Sequence, residues 1–514
     1  MALTTKIIYI NLINVSLLIL LSCSGGGESN GRDSLSGNPQ PGDTPDLALP
    51  SGSTSPIIHT NDGNMDCYTL EYLMALASAG EINLVGIIPD SAFGGRPGLP
   101  DIWETTMYTD IVGKARRSGM INIPDPAAGP ARPLAHPVSD TIEDTEPIDT
   151  PGSRLIVQQA NKATPENPLV IVTGGPLTAV ADAYLLDNSI DDKVVVVSVF
   201  ERENDMNGYN GQLDGWAAFI VLQKFRYVQF KVSKDNAPDV FKSRLGGTEI
   251  PENELKRFMV DKDQLRVNLP DNVDIDVPPA IALMRTDYVL TTKRVSFSHW
   301  IDATNSWGNP FSKVPAFKDD PNGNALVVTS ASKSIATDEW WRVLSNPAAY
   351  SGTVVQQAPF YDTPASIPGV IEAEDFDWGG KGYAFFNTFP TVWPTHRVDA
   401  SNLNLEDSTD VGGGFNIKGT EPGDWLEYTV SVTSSGTYRI EARVASEESG
   451  NVFRIKFNGV DKTGAIGVPN TGGEQSWQTV TVEGVQLNAG EQVMRIEMDT
   501  GGFNLNYVNF VLVN

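Results

Sequence analysis

The sequence predicts two folded domains in tandem: an α/β domain built on a parallel sheet, then an all-β sandwich. Three observations carry this. Between residues 56 and 350, short β-branched runs alternate with longer amphipathic stretches, the pattern of strand–helix–strand units with a parallel sheet. Between 370 and 514 the chain changes to period-two alternation broken by Gly and Asn turns, as sandwiches do. A connector containing Pro, Thr and Ser, placed at 351–369, separates the two.

In the first domain, Ile57-Ile58-His59 reads as a strand, and the apolar spacing over Tyr68–Ala79 predicts a helix. Asn83–Ile88 and Leu169–Val172 read as buried strands, Leu177–Leu186 as a helix and Val194–Val199 as a further strand. Residues 90–150 are rich in Pro, Gly and Asp and predict a long loop with one helix near 101–119. In the second domain, Trp425–Val430 and Tyr438–Val444 alternate cleanly, and Asn458-Gly459 marks a turn. Trp425, Tyr428 and Trp477 are expected in or near its core.

Composition removes several function classes. The 514 residues carry a formal net charge of −27 and no basic run, so nucleic acid is excluded as a partner, because a polyanion binder needs cations to release counterions. An acidic surface suits neutral glycans better. Two cysteines, Cys23 and Cys67, exclude a disulfide framework and a cysteine-rich zinc site. There is no G-x-S-x-G elbow, Walker loop or H-E-x-x-H motif.

The N-terminus reads as an export signal. Lys6 precedes the apolar run Val15–Leu21, which is too short to span a bilayer as a helix. The run ends in Leu20-Leu21-Ser22-Cys23, which resembles a bacterial lipobox. The resemblance implies cleavage after residue 22, lipidation of Cys23, and attachment to the bacterial outer membrane through the lipid. Residues 24–55, with Gly25-Gly26-Gly27, read as a flexible tether.

Three blocks in the second domain, Ile371-Glu372-Ala373-Glu374-Asp375-Phe376, Gly423-Asp424-Trp425-Leu426-Glu427-Tyr428 and Gly502-Phe503-Asn504-Leu505-Asn506-Tyr507, resemble family 6 carbohydrate-binding modules. The resemblance implies a jelly-roll sandwich, a polysaccharide or oligosaccharide partner and a structural calcium. Glu372 and Glu374 lie two apart, so on a strand they share a face, and paired carboxylates suit calcium; the alternative is a solvated acidic face. Asn504 matches the asparagine that bonds sugar in the family. Family members often carry Trp where Glu474 stands, so Phe415, Trp393 and Tyr383 are taken as alternative aromatic platforms.

The first domain resembles the nucleoside hydrolase-like superfamily. Ile57–Asp66 matches its Asp-rich loop, Thr173–Thr178 its Gly-Pro-Leu-Thr turn, Tyr209–Ala218 its aromatic-Asn-x-x-x-Asp-x-x-Ala-Ala pattern, and Ile275–Pro278 its His-Asp-Pro segment. The resemblance implies a calcium held by Asp62, Asp66, Asp276 and the Gly174 carbonyl, with Asn210 and Asp214 positioning sugar. It sets Asp66, Asn61 and His59 near the attacking water. His59 and Asn61 stand where the family has aspartates. Other readings of single residues are a helix N-cap for Asp66, a surface turn for Asp276 and a packed His59. The expected function is a surface-anchored hydrolase cleaving glycosidic bonds, targeted by its module; the alternative is a non-catalytic glycan-binding lipoprotein with an inactive hydrolase-like domain.

Overall fold

A computed structural model of the protein describes residues 49–63, 67–91, 103–200, 202–231, 233–265, 273–305, 311–388, 397 and 405–513. Cys23, Asp66 and Trp393 lie outside them. No helix among the described residues is long and apolar enough to cross a membrane.

The first domain runs β1 (Pro56–Asn61), α1 (Thr69–Ser78), β2 (Asn83–Pro89), α2 (Trp103–Arg117), α3 (Pro151–Ala160), β3 (Leu169–Thr173), α4 (Thr178–Leu186), β4 (Val194–Phe200), α5 (Tyr209–Leu213), α6 (Gly215–Lys224) and β5 (Arg226–Lys231). It continues through α7 (Lys242–Leu245), α8 (Glu254–Leu265), α9 (Pro278–Met284), β6 (Val289–Asp302), β7 (Lys313–Asp319), β8 (Ala325–Ala331) and α10 (Lys333–Leu344). The sheet order is β2-β1-β3-β4-β5-β8-β6-β7. The first six strands in that order run parallel.

Side-chain alternation splits each central strand between two cores. Val170, Val172, Val195 and Val197 face one core with α1, α9 and α10, whereas Leu169, Ile171, Val194 and Val196 face the other with α3, α4 and α6. Strands buried on both faces read as continuous apolar runs, which is why Val194-Val195-Val196-Val197 is legible as a strand. From β1 the chain moves outward to β2, then returns to place β3 on the other side of β1. The gap between β1 and β3 is therefore a topological switch point, where open α/β sheets bind ligands at the strands' carboxyl ends.

The sheet departs from an all-parallel expectation at one end. β6 pairs antiparallel with β8 and β7, an arrangement that needs no helical crossover. The outer edge of β7 is itself covered: the Met206 amide donates to the Pro315 carbonyl (2.9 Å) and the Phe317 amide to the Asn204 carbonyl (2.8 Å).

The second domain comprises β9 (Ala365–Ile367), β10 (Gly369–Glu372), β11 (Phe385–Phe386), β12 (Leu405–Asp407), β13 (Phe415–Ile417), β14 (Trp425–Val432) and β15 (Gly436–Ser446). Then follow β16 (Asn451–Phe457), β17 (Val460–Asp461), β18 (Ile466–Val468), β19 (Gly473–Leu487), β20 (Gly490–Met498) and β21 (Asn504–Leu512). One sheet has the order β12-β13-β21-β15-β19 with β10 beside β21; the other is β11-β14-β20-β16-β17 with β9 and β18 at its margins. Leu426, Tyr428, Val444, Ile455, Ile496 and Phe510 fill the space between them.

The segment 351–369 is not a free connector, and Ser55 is already buried ahead of the expected start of order. The Val355 amide donates to the Arg117 carbonyl (2.7 Å), the Gly352 amide to the Gly119 carbonyl (2.7 Å), and β9 joins the second domain beside β14. Composition alone misleads here because Ile367, the one large apolar residue of β9, is fully buried. Glu254 of α8 ties the domains together. It accepts two hydrogen bonds from Arg117 (2.6 and 3.0 Å) and one from the Gly379 amide (3.1 Å). The Arg117 guanidinium lies over Trp378, 4.7 Å from the ring centroid.

Candidate functional site

The carboxyl ends of β1 and β3 bring several sequence-predicted residues together. Asn61 ends β1; its Oδ1 accepts the Asp62 amide (2.8 Å), and its Nδ2 reaches Cys67 Sγ (3.4 Å) and Asp276 Oδ2 (3.5 Å). Gly174 follows β3 directly. A Cβ there would lie 2.9 Å from Asn61 Nδ2 and 3.1 Å from Asp276 Cβ, so only glycine lets the three meet without displacement. Gly175 is constrained further, since its Cβ would come within 2.6 Å of the Asp62 nitrogen. Asn210 arrives from α5 and donates to the Gly174 carbonyl at 2.6 Å. Asn61, Asp62, Gly174, Asn210 and Asp276 thus share one locality at the switch point.

Two predicted residues serve elsewhere. Asp214 is fully buried and caps α6: Oδ1 accepts the Ala217 amide (3.0 Å), and Oδ2 accepts the Leu134 amide (2.8 Å) and the Thr178 hydroxyl (2.9 Å). Burial pushes its carboxyl up to about 6 against these bonds. It positions a helix and a loop, not a sugar, because the aspartate of its motif falls at a helix start, where N-capping is the stronger use. His59 is also fully buried. Its Nδ1 lies 3.2 Å from the Val172 carbonyl, and its ring stacks on Tyr108 at 6.4 Å. Burial lowers its pKa to about 4, so it is neutral and shut away from a solvent-facing reaction.

The sequence reading passed over Asp90 and Asp274. Both are fully buried. The Asp90 amide donates to the Asn61 carbonyl (2.8 Å), which sets Asp90 at the same rim; an acid directly after the apolar run Ile87-Ile88-Pro89 was the available signal. Asp274 Oδ2 accepts the Tyr68 amide (3.2 Å) and Trp340 Nε1 (3.1 Å), fixing the start of α1.

In the sandwich, β10 ends at Glu372 and Glu374 falls in the following turn, so the two do not alternate along one strand as expected. The turn still keeps them within electrostatic reach. Glu374 Oε1 accepts the Phe415 amide (3.1 Å), while its buried Oε2 has no partner among the described residues. Burial, with Glu372 and Asp375 adding repulsion, pushes the Glu374 carboxyl up to about 7; Glu372 is raised by burial and by Asp375 and Asp410. Among the described residues, no three His, Cys, Asp or Glu side chains converge as a metal centre in either domain.

The cleft expected around Asn504 is filled by the protein itself. Asn504 is 1% exposed; Nδ2 donates to Glu406 Oε1 (3.0 Å) and the Glu474 carbonyl (2.7 Å), and Oδ1 accepts the Gly419 amide (2.9 Å). Both amide hydrogens are therefore satisfied internally, in a network that Gln475 extends through Glu406 (2.6 Å). Phe415 is half-buried beside this network. Tyr383 is half-buried, with the Arg257 guanidinium of α8 over its ring at 3.8 Å.

A further aromatic pair, half-buried Trp425 and exposed Phe386, lies on the other sheet. Trp425, at the start of β14, faces outward because Leu426 and Tyr428 take the inward positions. Its ring stacks on Phe386 at 6.5 Å and against the Arg495 guanidinium at 3.9 Å, and Phe386 is 39% exposed. Trp477, expected in the core, is likewise only half-buried on β19. Period-two alternation says which residues share a face, not which face is wet.

A β-sandwich with a flat aromatic face beside cationic and carboxylate groups is a surface suited to sugar rings. Residues 396–511 match the family model described as carbohydrate binding module (family 6), and the chain thus carries such a module in its C-terminal domain. The clotting factor G alpha subunit of Tachypleus tridentatus is 38% identical over 117 residues, 22% of this chain and 17% of that protein. β-Agarase AgaA of Microbulbifer thermotolerans is 33% identical over 91 residues, 17% of this chain and 21% of that protein. The chain spans about a fifth of the length of these curated relatives. A carbohydrate binding module from Cellvibrio mixtus lichenase 5A, solved in complex with cellotriose, is 32% identical, with 29% of this chain covering 98% of that one at a TM-score of 0.23.

Proposed function

We propose that this protein is a hydrolase of glycosidic bonds, anchored to the bacterial outer membrane through lipidated Cys23 and held on a polysaccharide by its C-terminal module. The nucleoside hydrolase-like motifs motivate the α/β assignment. The observation that carries it is the meeting of Asn61, Asp62, Asn210 and Asp276 around Gly174 at the switch point. A carboxylate there takes the proton of an attacking water. The water oxygen joins the anomeric carbon as the glycosidic C–O bond breaks, and the proton that the carboxylate took from water passes to the leaving oxygen. Asn210, whose amide rests on the Gly174 carbonyl at 2.6 Å, would release that bond to meet a sugar hydroxyl. Among the described residues no three His, Cys, Asp or Glu side chains converge at this rim; Asp62, Asp276 and the Gly174 carbonyl are the oxygen donors that would hold a calcium there. Incubation with a panel of algal and plant glycans tests the proposal: new reducing ends support it.

One observation favours the second reading, a non-catalytic glycan-binding lipoprotein. The Asn61 amide already faces Asp276, and Asn210 already donates to Gly174. Retention on a glycan without any product would establish that reading.

The module's sugar contact is assigned to Trp425 and Phe386, since Asn504 is enclosed. Trp425→Ala is expected to weaken retention on a bound glycan about tenfold or more in affinity electrophoresis, the loss typical of a central aromatic anchor. Retention equal to the wild type would remove the platform.

Calcium fits the module better than the rim. The unpartnered Glu374 Oε2, together with Glu372, offers hard oxygen donors, which backbone oxygens and water would complete. A carboxyl whose folded pKa is raised from about 4.5 to about 7 takes up a proton on folding. The cation-free protein is then most stable below that window and loses stability as pH rises through it. Calcium is expected to raise the module's Tm by about 5 °C at pH 8 and by less at pH 5, reversed by chelator in differential scanning calorimetry. Equal shifts at both pH values would count against Glu374 as a ligand.

A further inference from the structure

A cavity of about 260 Å³ lies at the junction of the two domains, lined by Gly246, Glu252, Lys256, Arg257 and Val260 from the α/β domain and by Lys381 from the module. A water's share of liquid volume is about 30 Å³, so the space equals roughly eight or nine waters, enough for a single sugar unit. In a chain of net charge −27, three cations here face one carboxylate among the described residues that line the cavity. Glu252 pairs with both Lys256 (3.0 Å) and Arg257 (3.1 Å) and cannot neutralise the set. The next carboxylate, Glu254, is committed to Arg117 and the Gly379 amide.

The cations are held in place. Lys256 Nζ donates to the Gly247 carbonyl (2.7 Å), and only 7% of its side chain is exposed. Arg257 Nη2 donates to the Gly379 carbonyl (2.9 Å), its plane lies on Tyr383, and its Nε is buried with no partner among the described residues. Lys381 projects from the loop Gly379-Gly380-Lys381-Gly382, whose glycines all have positive φ. Its ammonium sits 5.2 Å from the Phe386 ring and has no carboxylate partner among the described residues. The cavity therefore adjoins the Trp425–Phe386 platform.

We infer that this junction cavity is a subsite for a negatively charged sugar unit, carrying a carboxylate or a sulfate ester, within the polysaccharide that the module holds. Fixed guanidinium and ammonium groups recognise such anions through charge-assisted hydrogen bonds, and the aromatic ridge takes the adjoining rings. The inference rests on the module binding glycan through Trp425 and Phe386.

Isothermal titration of the full-length protein with an oligoglucuronate, a sulfated galactan oligosaccharide and a neutral cello-oligosaccharide tests it. At 50 mM salt at least one acidic probe is expected to bind tenfold or more tightly than the neutral one. Which of the two does so distinguishes carboxylate from sulfate. Lys381→Glu and 0.5 M salt should each remove that preference, Lys381→Arg should keep it, and neutral binding should stay unchanged in all three cases. Binding of the neutral probe with no acidic preference, or a preference indifferent to Lys381→Glu, overturns the subsite and leaves the platform standing. Failure of all three probes to bind overturns both.

Discussion

Replacing Asp276 with asparagine is expected to lower glycan cleavage by about a hundred- to ten-thousand-fold, the contribution of a general base, while retention on the glycan is unaltered. The substitution is nearly isosteric. An amide oxygen at 276 still accepts from Asn61 Nδ2, now at 3.5 Å, so the rim keeps its shape and only the proton acceptor is lost. Reducing-end release and module binding, measured side by side, separate chemistry from targeting. Asp62→Asn provides the companion variant, since Asp62 lies on the same rim and is 6% exposed. Undiminished cleavage in both variants would move the reaction, if one is observed, away from the β1–β3 gap.

Replacing Glu254 with alanine is expected to destabilise the protein by about 3–5 kcal/mol, the cost of breaking a buried ion pair from one side. The Glu254 side chain is 0% exposed and that of Arg117 16%. Removing the carboxylate takes two hydrogen bonds from the guanidinium and also frees the Gly379 amide, which belongs to the module. Thermal unfolding should therefore change shape as well as midpoint, from one transition in which both domains melt together to two. Glu254→Gln, which keeps one acceptor oxygen and loses the charge and the second acceptor, should lie between. A single transition at the wild-type temperature in the alanine variant would show that other contacts join the domains.

Much of this architecture is legible in the chain because burial on both faces leaves unmistakable apolar runs, as in Val194–Phe200, and because the sandwich alternates strictly through β14 and β15. The β6–β7 hairpin was not, since β6 is largely exposed and carries Thr, Lys, Arg and Ser among its apolar residues. The rim was partly legible. Motif position brought Asn61, Gly174, Asn210 and Asp276 to one place, because each lies at a strand's end or near a helix's start at the same end of the sheet. The same motifs could not tell Asp214, which turns inward to cap α6, from a residue facing substrate. That distinction depends on the direction of a side chain at a helix start, set by tertiary packing. In the module, alternation located Trp425 and Trp477 on strands but left open which face meets solvent.

The covered margin of β7 bears on life at high surface density. An unpaired strand at the end of a sheet is a template for a neighbouring copy. Here the stretch around Asp205 already occupies that template, bridging to Ala316, and Pro315 and the flanking lysines Lys313 and Lys318 make it a poor match for a second chain. Copies of a chain with net charge −27 that come close together then find that margin occupied and meet with like charge, which opposes strand-to-strand association.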